Sequence, residues 1–288
     1  MPSGKLSVIM PAFNEAEGVT RHLRSTIAAL QALGLDFEIV LVDDGSNDQT
    51  CAAACTLLTE FPCIIRIVRY ERNRGKGHAL FCGVQQASGE YIAFLDADGE
   101  LQAAQLPEFF RVLEQQHADI VVGSKLHRRS HVSNYPFRRR IWSLGYYGIV
   151  RTLFGLPVKD TQTGLKLFRS VVLHRVLPKV LVKRFAFDVE ILAVARHFGF
   201  KMAEAPVRVE FLRSFSRVNL RDAYAVFVDT LAIFYRLHLL HYYDHVTAEW
   251  PTHERPVEVI TADSIRLGAA LGDVPLPFPR QKDLASSG

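Results

Sequence analysis

The 288-residue sequence has no apolar run long enough to cross a membrane. Its best candidate, from Ala223 to Tyr235, is interrupted by Asp229 and closed by Arg236, whereas a spanning helix needs about 18 predominantly apolar residues. The first residues also lack the basic-then-apolar layout of a secretory signal peptide. We therefore expect a cytoplasmic protein whose contact with a membrane, if it makes one, is peripheral.

Cysteine is scarce and has no recognisable spacing. The four cysteines form no CxxC pair and no Cys/His set with the spacing of zinc ligands. This argues against a disulfide framework and against a structural zinc site. We expect free thiols in a reducing compartment. The four are Cys51, Cys55, Cys63 and Cys82.

Acidic residues are absent from residues 120–159. The net charge of the whole chain is only +4, from 34 basic and 30 acidic residues, which does not predict a nucleic-acid partner. A block of one sign indicates an anionic partner such as phosphates or acidic lipid headgroups, although a solvated basic face would have the same composition. The basic residues of the block are Lys125, Arg128, Arg129, Arg138, Arg139, Arg140, Arg151 and Lys159.

The first 123 residues alternate between short β-branched runs and helical patterns. One pattern, from Val19 to Leu30, repeats apolar residues on a single helical face. The alternation predicts right-handed βαβ units and an α/β fold with a Rossmann-like, mostly parallel sheet and flanking helices. Such sheets bind ligands beyond the carboxyl ends of their strands. The predicted strands are Leu6–Met10, Glu38–Val42, Ile64–Val68, Tyr91–Leu95 and Ile120–Val122.

After residue 123 the alternation becomes irregular. We expect one domain over 1–245, with a first half over about 5–123 and a second over about 124–245. Prolines interrupt any periodicity after Val246, so 246–288 is predicted to be a poorly ordered tail. The second half is predicted to contain an aromatic helix over 138–156, a strand over 160–169, two further helices, a strand over 202–210 and an amphipathic helix over about 220–243.

Asp96-Ala97-Asp98 follows the fourth predicted strand and is the sharpest local signal. Residues i and i+2 of an extended chain point to the same side, so the two carboxylates can converge. Mg²⁺ typically takes one or two carboxylates and completes its shell with water and phosphate oxygens. The motif predicts a site for Mg²⁺ or Mn²⁺, with a solvated acidic turn as the alternative.

Two adjacent acids, Asp43 and Asp44, end the second predicted strand. A carboxylate there can accept hydrogen bonds from a base imide or from ribose hydroxyls. Gly45 allows the backbone to turn, and Ser46 or Asp48 can cap the next helix. A turn with a cap explains those three residues but not two adjacent acids, which favours a nucleotide site.

Together with two further segments, these motifs resemble the family 2 glycosyltransferases, which have the GT-A fold. The further segments are Pro11–Glu15 (P-A-F-N-E) and Arg72–Ala79 (R-N-R-G-K-G-H-A), and all four occur in the family's order. The resemblance implies a metal-dependent, inverting transfer from a nucleotide sugar. It implies that Asp96, Asp98 and Glu100 handle the metal and the diphosphate. The residues that it places around the nucleotide are Pro11, Phe13, Glu15, Asp43, Asp44, Lys76, Gly77 and Asp96.

The second half resembles the polyprenyl-phosphate branch of this family. Asp160–Phe168 (D-T-Q-T-G-L-K-L-F) and Phe185–Glu190 (F-A-F-D-V-E) are similar to segments of dolichyl-phosphate β-glucosyltransferases, and dolichyl-phosphate mannose synthases come next. The resemblance covers residues 5 to about 240. It implies UDP-glucose ahead of GDP-mannose as donor, and a polyprenyl phosphate acceptor at the inner face of the cell membrane. The catalytic residues that it implies are Asp98, Arg217, Asp160 and Asp188.

A phosphate acceptor changes what catalysis requires. It is already ionised near neutral pH, so it needs no strong general base, whereas a sugar hydroxyl does. Cationic side chains that hold the acceptor and the leaving diphosphate should dominate instead. The candidates for the acceptor phosphate are Arg128, Arg129 and Arg138. Beside them, Ile141–Phe154 is aromatic and apolar, which suits a bilayer interface; a core helix or a contact within a homo-oligomer is the alternative.

Three other functions stay open on the sequence alone. A family 2 enzyme that acts on a sugar or polysaccharide hydroxyl would need a carboxylate base near its acceptor. A sugar-1-phosphate nucleotidyltransferase would also use a metal and a nucleotide, but no Gly-rich phosphate loop follows the first strand. A basic nucleic-acid or membrane adaptor would use the acidic motifs as turns and would bind no nucleotide sugar.

Overall fold

The computed structural model describes residues 4–133, 137–184, 186–211, 220–247, 250 and 257–265, without the side chains of 137–142 and 220–223. An eight-stranded sheet forms its centre, and helices cover both faces of that sheet. The strands are β1 (Leu6–Ala12), β2 (Phe37–Asp43), β3 (Ile65–Arg69), β4 (Tyr91–Phe94), β5 (Ile120–Ser124), β6 (His131–Ser133), β7 (Lys166–Arg169), β8 (Met202–Pro206), β9 (Arg208–Glu210) and β10 (Glu258–Ile260). The helices are α1 (Val19–Ala32), α2 (Thr50–Cys55), α3 (Lys76–Gln85), α4 (Leu106–Gln115), α5 (Phe137–Phe154), α6 (Ser170–Val176), α7 (Phe187–His197), α8 (Leu220–Phe234) and α9 (Tyr242–His245).

The strand order β10-β3-β2-β1-β4-β7-β5-β8 places β1 between β2 and β4. Strands β3, β2, β1 and β4 run parallel, as do β5 and β8, whereas β7 and β10 are antiparallel to their neighbours. Every residue of β2 is buried, because helices cover both faces and such strands are continuous apolar runs. The predicted α/β fold is confirmed, and the carboxyl ends of β1, β2 and β4 lie side by side.

The apolar periodicity of the first helix is confirmed by its packing. Helix α1 buries Val19, Leu23, Ile27 and Leu30 against one face of the sheet. Helices α3 and α7 pack on the other face, where they share a core with α8. The two core layers hold the strand ends in fixed positions relative to the loops that follow them.

The second half is not a separate layer, because its strands enter the same sheet. Strand β7 lies between β4 and β5, and β8 extends the sheet beyond β5. The single strand predicted over 202–210 is divided at Val207, and β9 pairs with β6 in a small second sheet. Residues before and after position 123, where the sequence pattern changes, therefore contribute strands to one continuous sheet.

The aromatic helix and the amphipathic helix predicted for the second half pack on each other. The Tyr146 hydroxyl of α5 lies 3.0 Å from the Thr230 hydroxyl of α8, and Phe154 contacts Phe234. The later part of the run Ile141–Phe154 thus packs inward, as the core-helix alternative expects. The predicted helix over 220–243 is broken: α8 gives way to a π-helical turn (Tyr235–Leu239) and α9 follows it.

Part of the predicted tail packs on the domain. Strand β10 pairs with the edge strand β3 and turns Ile260 into the core. The Trp250 ring lies 5.1 Å from that of Phe81 on α3. The expectation of a poorly ordered tail is wrong for these residues, because edge pairing uses backbone groups and needs little apolar periodicity. The other residues after 247 lie outside the described part of the chain.

Candidate nucleotide and metal site

The loops that follow β1 and β2 are joined by hydrogen bonds at the carboxyl ends of the strands. The backbone N–H groups of Asn14, Glu15 and Ala16 donate to the side chains of Ser46, Thr50 and Asp48, at 3.0, 2.8 and 3.1 Å. These hydrogen bonds hold the loop between β1 and α1, which carries the predicted nucleotide residues Phe13 and Glu15. Phe13 is 41% exposed, and Pro11 lies near the end of β1.

Asp43 and Asp44 have different surroundings although both are buried. Asp44 accepts four hydrogen bonds from the loop after β3, and burial raises its pKa in spite of them. Asp43 accepts the Ser46 amide at 2.9 Å through Oδ1, while its Oδ2 accepts no hydrogen bond in the described structure and lies 3.6 Å from Arg69 Nε. Asp44 therefore shapes the loop, whereas Asp43 is buried beside Arg69 and has one carboxylate oxygen without a hydrogen bond in the described structure. The donors to Asp44 are the Tyr70 hydroxyl, the Asn73 amide side chain and the backbone N–H groups of Arg74 and Gly75.

Asp96 and Asp98 follow β4, and the fold shifts the pKa values of their carboxyl groups in opposite directions. Burial acts to raise the pKa of Asp96, but the Lys76 ammonium, 2.5 Å from Oδ1, outweighs it and the pKa is lowered. Burial and the nearby Asp96 carboxylate raise the pKa of Asp98. The two carboxylates thus repel each other in a partly desolvated place, which a bound cation would relieve.

The pair fits a hard divalent cation, since Mg²⁺ needs only one or two protein carboxylates. Within the described residues, however, no three His, Cys, Asp or Glu side chains form a cluster that could hold a metal ion. The described structure therefore does not bring Glu100 together with Asp96 and Asp98, and the part of Glu100 as a third ligand stays a prediction. The backbone turns at Gly99 (φ +78°), and the Glu100 amide donates to Asp98 at 3.0 Å.

The loop before β7 packs closely against the Asp96 carboxylate. A Cβ atom added at Gly164 would lie 2.0 Å from Oδ2 of Asp96, closer than any real contact allows. The position therefore requires glycine because of close approach. Gly164 belongs to the segment Asp160–Phe168, so the resemblance pointed to a loop that contacts the metal motif.

Two further lysine–aspartate pairs surround Asp96. Lys166 on β7 donates to Asp188 at 2.7 Å, and Lys125 lies 2.8 Å from Asp160. Both lysines contribute to the lowered pKa of Asp96, so their charge reaches the metal motif. Sequence reasoning missed both lysines as parts of the site, although a lysine inside a buried strand was a usable signal.

Asp160 is held by its own loop. Its carboxylate accepts the amides of Lys125 and Gln162 at 3.0 and 3.1 Å and the Thr163 hydroxyl at 2.7 Å. Burial acts to raise its pKa, but Lys125 and these donors lower it. The geometry gives Asp160 a part in positioning the loop against Asp96, and its catalytic role stays a prediction.

The first turn of α3 faces the same place. Burial acts to lower the pKa of Lys76, but the charges of Asp96 and Asp188 raise it. The Gly77 amide donates to the Lys183 carbonyl at 3.0 Å, which ties the turn to the loop before α7. The first turn of a helix offers a positive dipole end to phosphate groups. The arrangement can hold a diphosphate between α3 and the Asp96–Asp98 pair.

A sequence model named glycosyl transferase family 2 matches residues 7–177, which is more than half of the chain. The chain belongs to glycosyl transferase family 2. The prediction made from four ordered segments is thereby confirmed, and the matched residues include β1 to β5 and the Asp96–Asp98 pair.

Within the family, the chain is similar to proteins named dolichyl-phosphate beta-glucosyltransferase. It is 35% identical to that of Dictyostelium discoideum over 70% of this chain and 65% of the relative. The Drosophila melanogaster protein is 31% identical and the human protein 29%, each over 72% of this chain and 67% of the relative. The chain therefore spans about two thirds of the length of these relatives.

Solved structures of other proteins share the fold. Glucosyl-3-phosphoglycerate synthase from Mycobacterium tuberculosis aligns over 80% of this chain and 79% of its own, with a TM-score of 0.58 and 19% identity. S. aureus TarS in complex with UDP-GlcNAc aligns over 83% of this chain and 69% of its own, with a TM-score of 0.55 and 19% identity. These likenesses support the GT-A fold predicted from the family resemblance.

The described structure places two of the arginines expected to bind the acceptor phosphate at the edge of the sheet. Arg128 and Arg129 line a cavity at the β8 edge of the sheet, beside Met202 and Glu204. Arg129 is also paired with Glu108 on α4 at 3.0 Å. The structure thus places both arginines at the edge of the sheet, and their contact with an acceptor phosphate stays a prediction. Arg217 and the side chain of Arg138 lie outside the described part of the structure.

Proposed function

We propose that the protein transfers a glucosyl group, with inversion, from UDP-glucose to a polyprenyl phosphate at the cytoplasmic face of a membrane; GDP-mannose is the next candidate donor. The family membership supports a nucleotide sugar as donor. The names of the relatives at 29–35% identity support glucose and a dolichyl-type phosphate acceptor.

On the donor side, each group has a separate role. Asp43, whose Oδ2 lies 3.6 Å from Arg69 Nε and accepts no hydrogen bond in the described structure, would accept one from the base or ribose. Asp96 and Asp98 would hold Mg²⁺ or Mn²⁺, which neutralises charge on the leaving diphosphate when bound. Lys76 and the first turn of α3 would hold the diphosphate from the opposite side.

The observation that carries the acceptor proposal is the pairing of the two predicted catalytic carboxylates of the second half, Asp160 and Asp188, with lysines. Asp188 is bound to buried Lys166, and Asp160 to Lys125. A hydroxyl acceptor would need one of them as a general base, whereas an ionised phosphate acceptor needs cations. Lys125 and Lys166 supply that charge beside Asp96, so the basic block contributes to the site through Lys125.

The membrane contact that we propose is an apolar face of α8 and the turn after it. The exposures of Tyr224 and Leu239 are 71% and 61%, and several large apolar side chains near them in the chain are also exposed, a feature typical of an interaction surface. Their spacing of three and four residues places most of them on one side of the helix. The exposed residues are Tyr224, Phe227, Val228, Leu231, Tyr235, Leu239 and Leu240.

This face is connected to the site by a basic loop. Glu190 accepts the amides of Leu181 and Val182 at 3.1 and 2.6 Å and also binds Arg236, which follows α8. The next residues, Lys183 and Arg184, are exposed, and we infer that their cations border the apolar face on the side of the site. Anionic headgroups complement that border. In the described part of the chain, none of the helices is both long and apolar enough to span a bilayer.

The test is a matrix of donors and acceptors. Purified protein with Mn²⁺ is incubated with UDP-glucose, GDP-mannose or UDP-GlcNAc, and with a polyprenyl phosphate, the free polyprenol or a soluble oligosaccharide. We expect glucosylated lipid phosphate from UDP-glucose and little product with the polyprenol, which lacks the anionic nucleophile. Transfer to the oligosaccharide with the lipid phosphate inert would contradict the acceptor, and preference for GDP-mannose would contradict the donor.

A further inference from the structure

His22, the fourth residue of α1, contacts the backbone of the metal motif. Its Nδ1 atom lies 2.6 Å from the carbonyl oxygen of Ala97, the residue between the two carboxylates. A carbonyl oxygen only accepts, so Nδ1 must carry the proton and donate. A helix on one face of the sheet thus holds the turn that follows β4.

The imidazole ring fills a gap between two glycines. A Cβ atom at Gly99 would lie 2.4 Å from its Nε2, and one at Gly18, just before α1, would lie 2.8 Å from its Cε1. The turn and the helix can approach only because both positions lack side chains. The ring therefore occupies a defined place, and its hydrogen bond to Ala97 is held by packing on both sides.

We propose that His22 is a positioning residue that sets the separation of the Asp96 and Asp98 carboxylates for the divalent cation. The Ala97 carbonyl belongs to the peptide that joins Ala97 to Asp98, so rotation of this peptide would change the direction of the Asp98 side chain relative to that of Asp96. The bond from His22 holds one side of the turn, and the bond from the Glu100 amide to Asp98 holds the other. Metal ligands bind well only when neighbouring hydrogen bonds hold them in place.

The inference rests on the proposed metal role, and two substitutions test it. His22→Asn retains a side-chain N–H near the position of Nδ1, whereas His22→Leu retains bulk and removes the donor. The matched control is Arg24→Gln on the same helix, which breaks an exposed pair with Glu60 (2.6 Å) that is remote from the turn. Mn²⁺ affinity is measured by electron paramagnetic resonance with UDP present and no sugar donor, alongside thermal unfolding of each protein.

We expect His22→Leu to bind Mn²⁺ about tenfold more weakly, which is the typical weight of one hydrogen bond. His22→Asn should remain within about threefold of the wild type, since the donor is kept, and Arg24→Gln should match the wild type. Unchanged affinity in His22→Leu, or an equal loss in Asn and Leu, would overturn the role of the hydrogen bond while leaving the proposed function intact. A wild type that binds UDP but no Mn²⁺ would overturn the metal role and this inference together.

Discussion

The carboxyl ends of the central strands bury charged side chains, whereas helix α8 exposes apolar ones. Lys166 and Asp188 are 1% and 6% exposed, while Tyr224 on α8 is 71% exposed. Buried charges are costly unless they are paired, and large exposed apolar patches are uncommon on proteins that act alone. The first region buries side chains that are usually exposed, and the second exposes side chains that are usually buried. The first departure suits ligand chemistry, and the second suits contact with a partner surface.

The two regions also differ in what a substitution would disturb. Removing one partner of a buried pair leaves an uncompensated charge, which typically costs about 3–5 kcal/mol. Removing an exposed apolar side chain costs the folded protein little. Variants at the strand ends should therefore affect chemistry and stability together, and variants of α8 should affect contact alone.

The largest effect is expected for Asp98→Asn. Loss of one of the two carboxylates should lower transfer by about 10²–10³-fold, the usual weight of a group that stabilises developing charge. The folded protein should nevertheless melt higher at neutral pH. The fold raises the pKa of Asp98, so ionisation of this group opposes folding above its unfolded pKa, and asparagine removes that cost.

Transfer assays and calorimetry of the same variant separate these effects. Glu60→Gln, at an exposed pair on the protein surface, serves as the control and should change neither quantity. Full transfer by Asp98→Asn, or by the wild type in excess EDTA, would contradict a metal role at the strand ends.

Gly164→Ala tests the close approach of the second half to Asp96. The added Cβ would lie 2.0 Å from Asp96 Oδ2, and overpacking of this kind costs about 1–3 kcal/mol. If this strain raises the activation free energy of transfer by the same amount, the rate of transfer should fall by about 5–150-fold. Gly148→Ala on α5 is the matched control, since a Cβ there meets nothing within 4 Å; an equal loss in both would contradict the contact.

Replacing Tyr224, Leu231 and Leu239 together by serine tests the other region. Binding to anionic liposomes should weaken by at least about tenfold, because each large apolar side chain is worth about 1.5–3 kcal/mol when fully buried. UDP affinity should stay unchanged. Val171→Ser, an exposed apolar position on α6, is the control. Co-sedimentation of the triple variant at the wild-type level would remove α8 as the membrane contact.

Deleting the residues after Val246 should lower the melting temperature. The deletion exposes the edge of β3 and removes the contact of Trp250 with Phe81. Each kcal/mol lost should lower the midpoint by about 2–4 °C in a protein of this size. Differential scanning calorimetry measures it, and an unchanged midpoint would show that the tail adds no stability.

The smallest effect is expected for Lys76→Met. Lys76 holds Asp96 Oδ1, so its loss should strengthen Mn²⁺ binding without nucleotide and weaken UDP binding. Each change should be about two- to fivefold, the weight of a partly exposed ion pair. Separate titrations with Mn²⁺ and with UDP measure the two affinities. If both affinities rise or both fall, Lys76 does not compete with the metal ion for Asp96.

Local patterns in the sequence were sufficient for the fold class and for the acidic half of the site. Alternating apolar runs and a helical face depend on residues close in sequence, and so do two carboxylates separated by one residue. Asp43, Asp96 and Asp98 could therefore be assigned to the strand ends from the sequence alone. The family motifs added Lys76, Asp160 and Asp188, whose neighbourhood is visible only in the folded chain.

The cationic half of the site was decided by tertiary structure alone. Lys125 and Lys166 lie 29 and 70 residues after Asp96 in the chain, and they approach it only because β7 inserts between β4 and β5. The contact of His22 with Ala97 spans 75 residues. The basic block predicted an anionic partner from composition, but composition does not say which of its residues the backbone turns inward. That choice depends on which side chains the sheet order brings within hydrogen-bonding distance, and strand insertion has no local signature in the sequence.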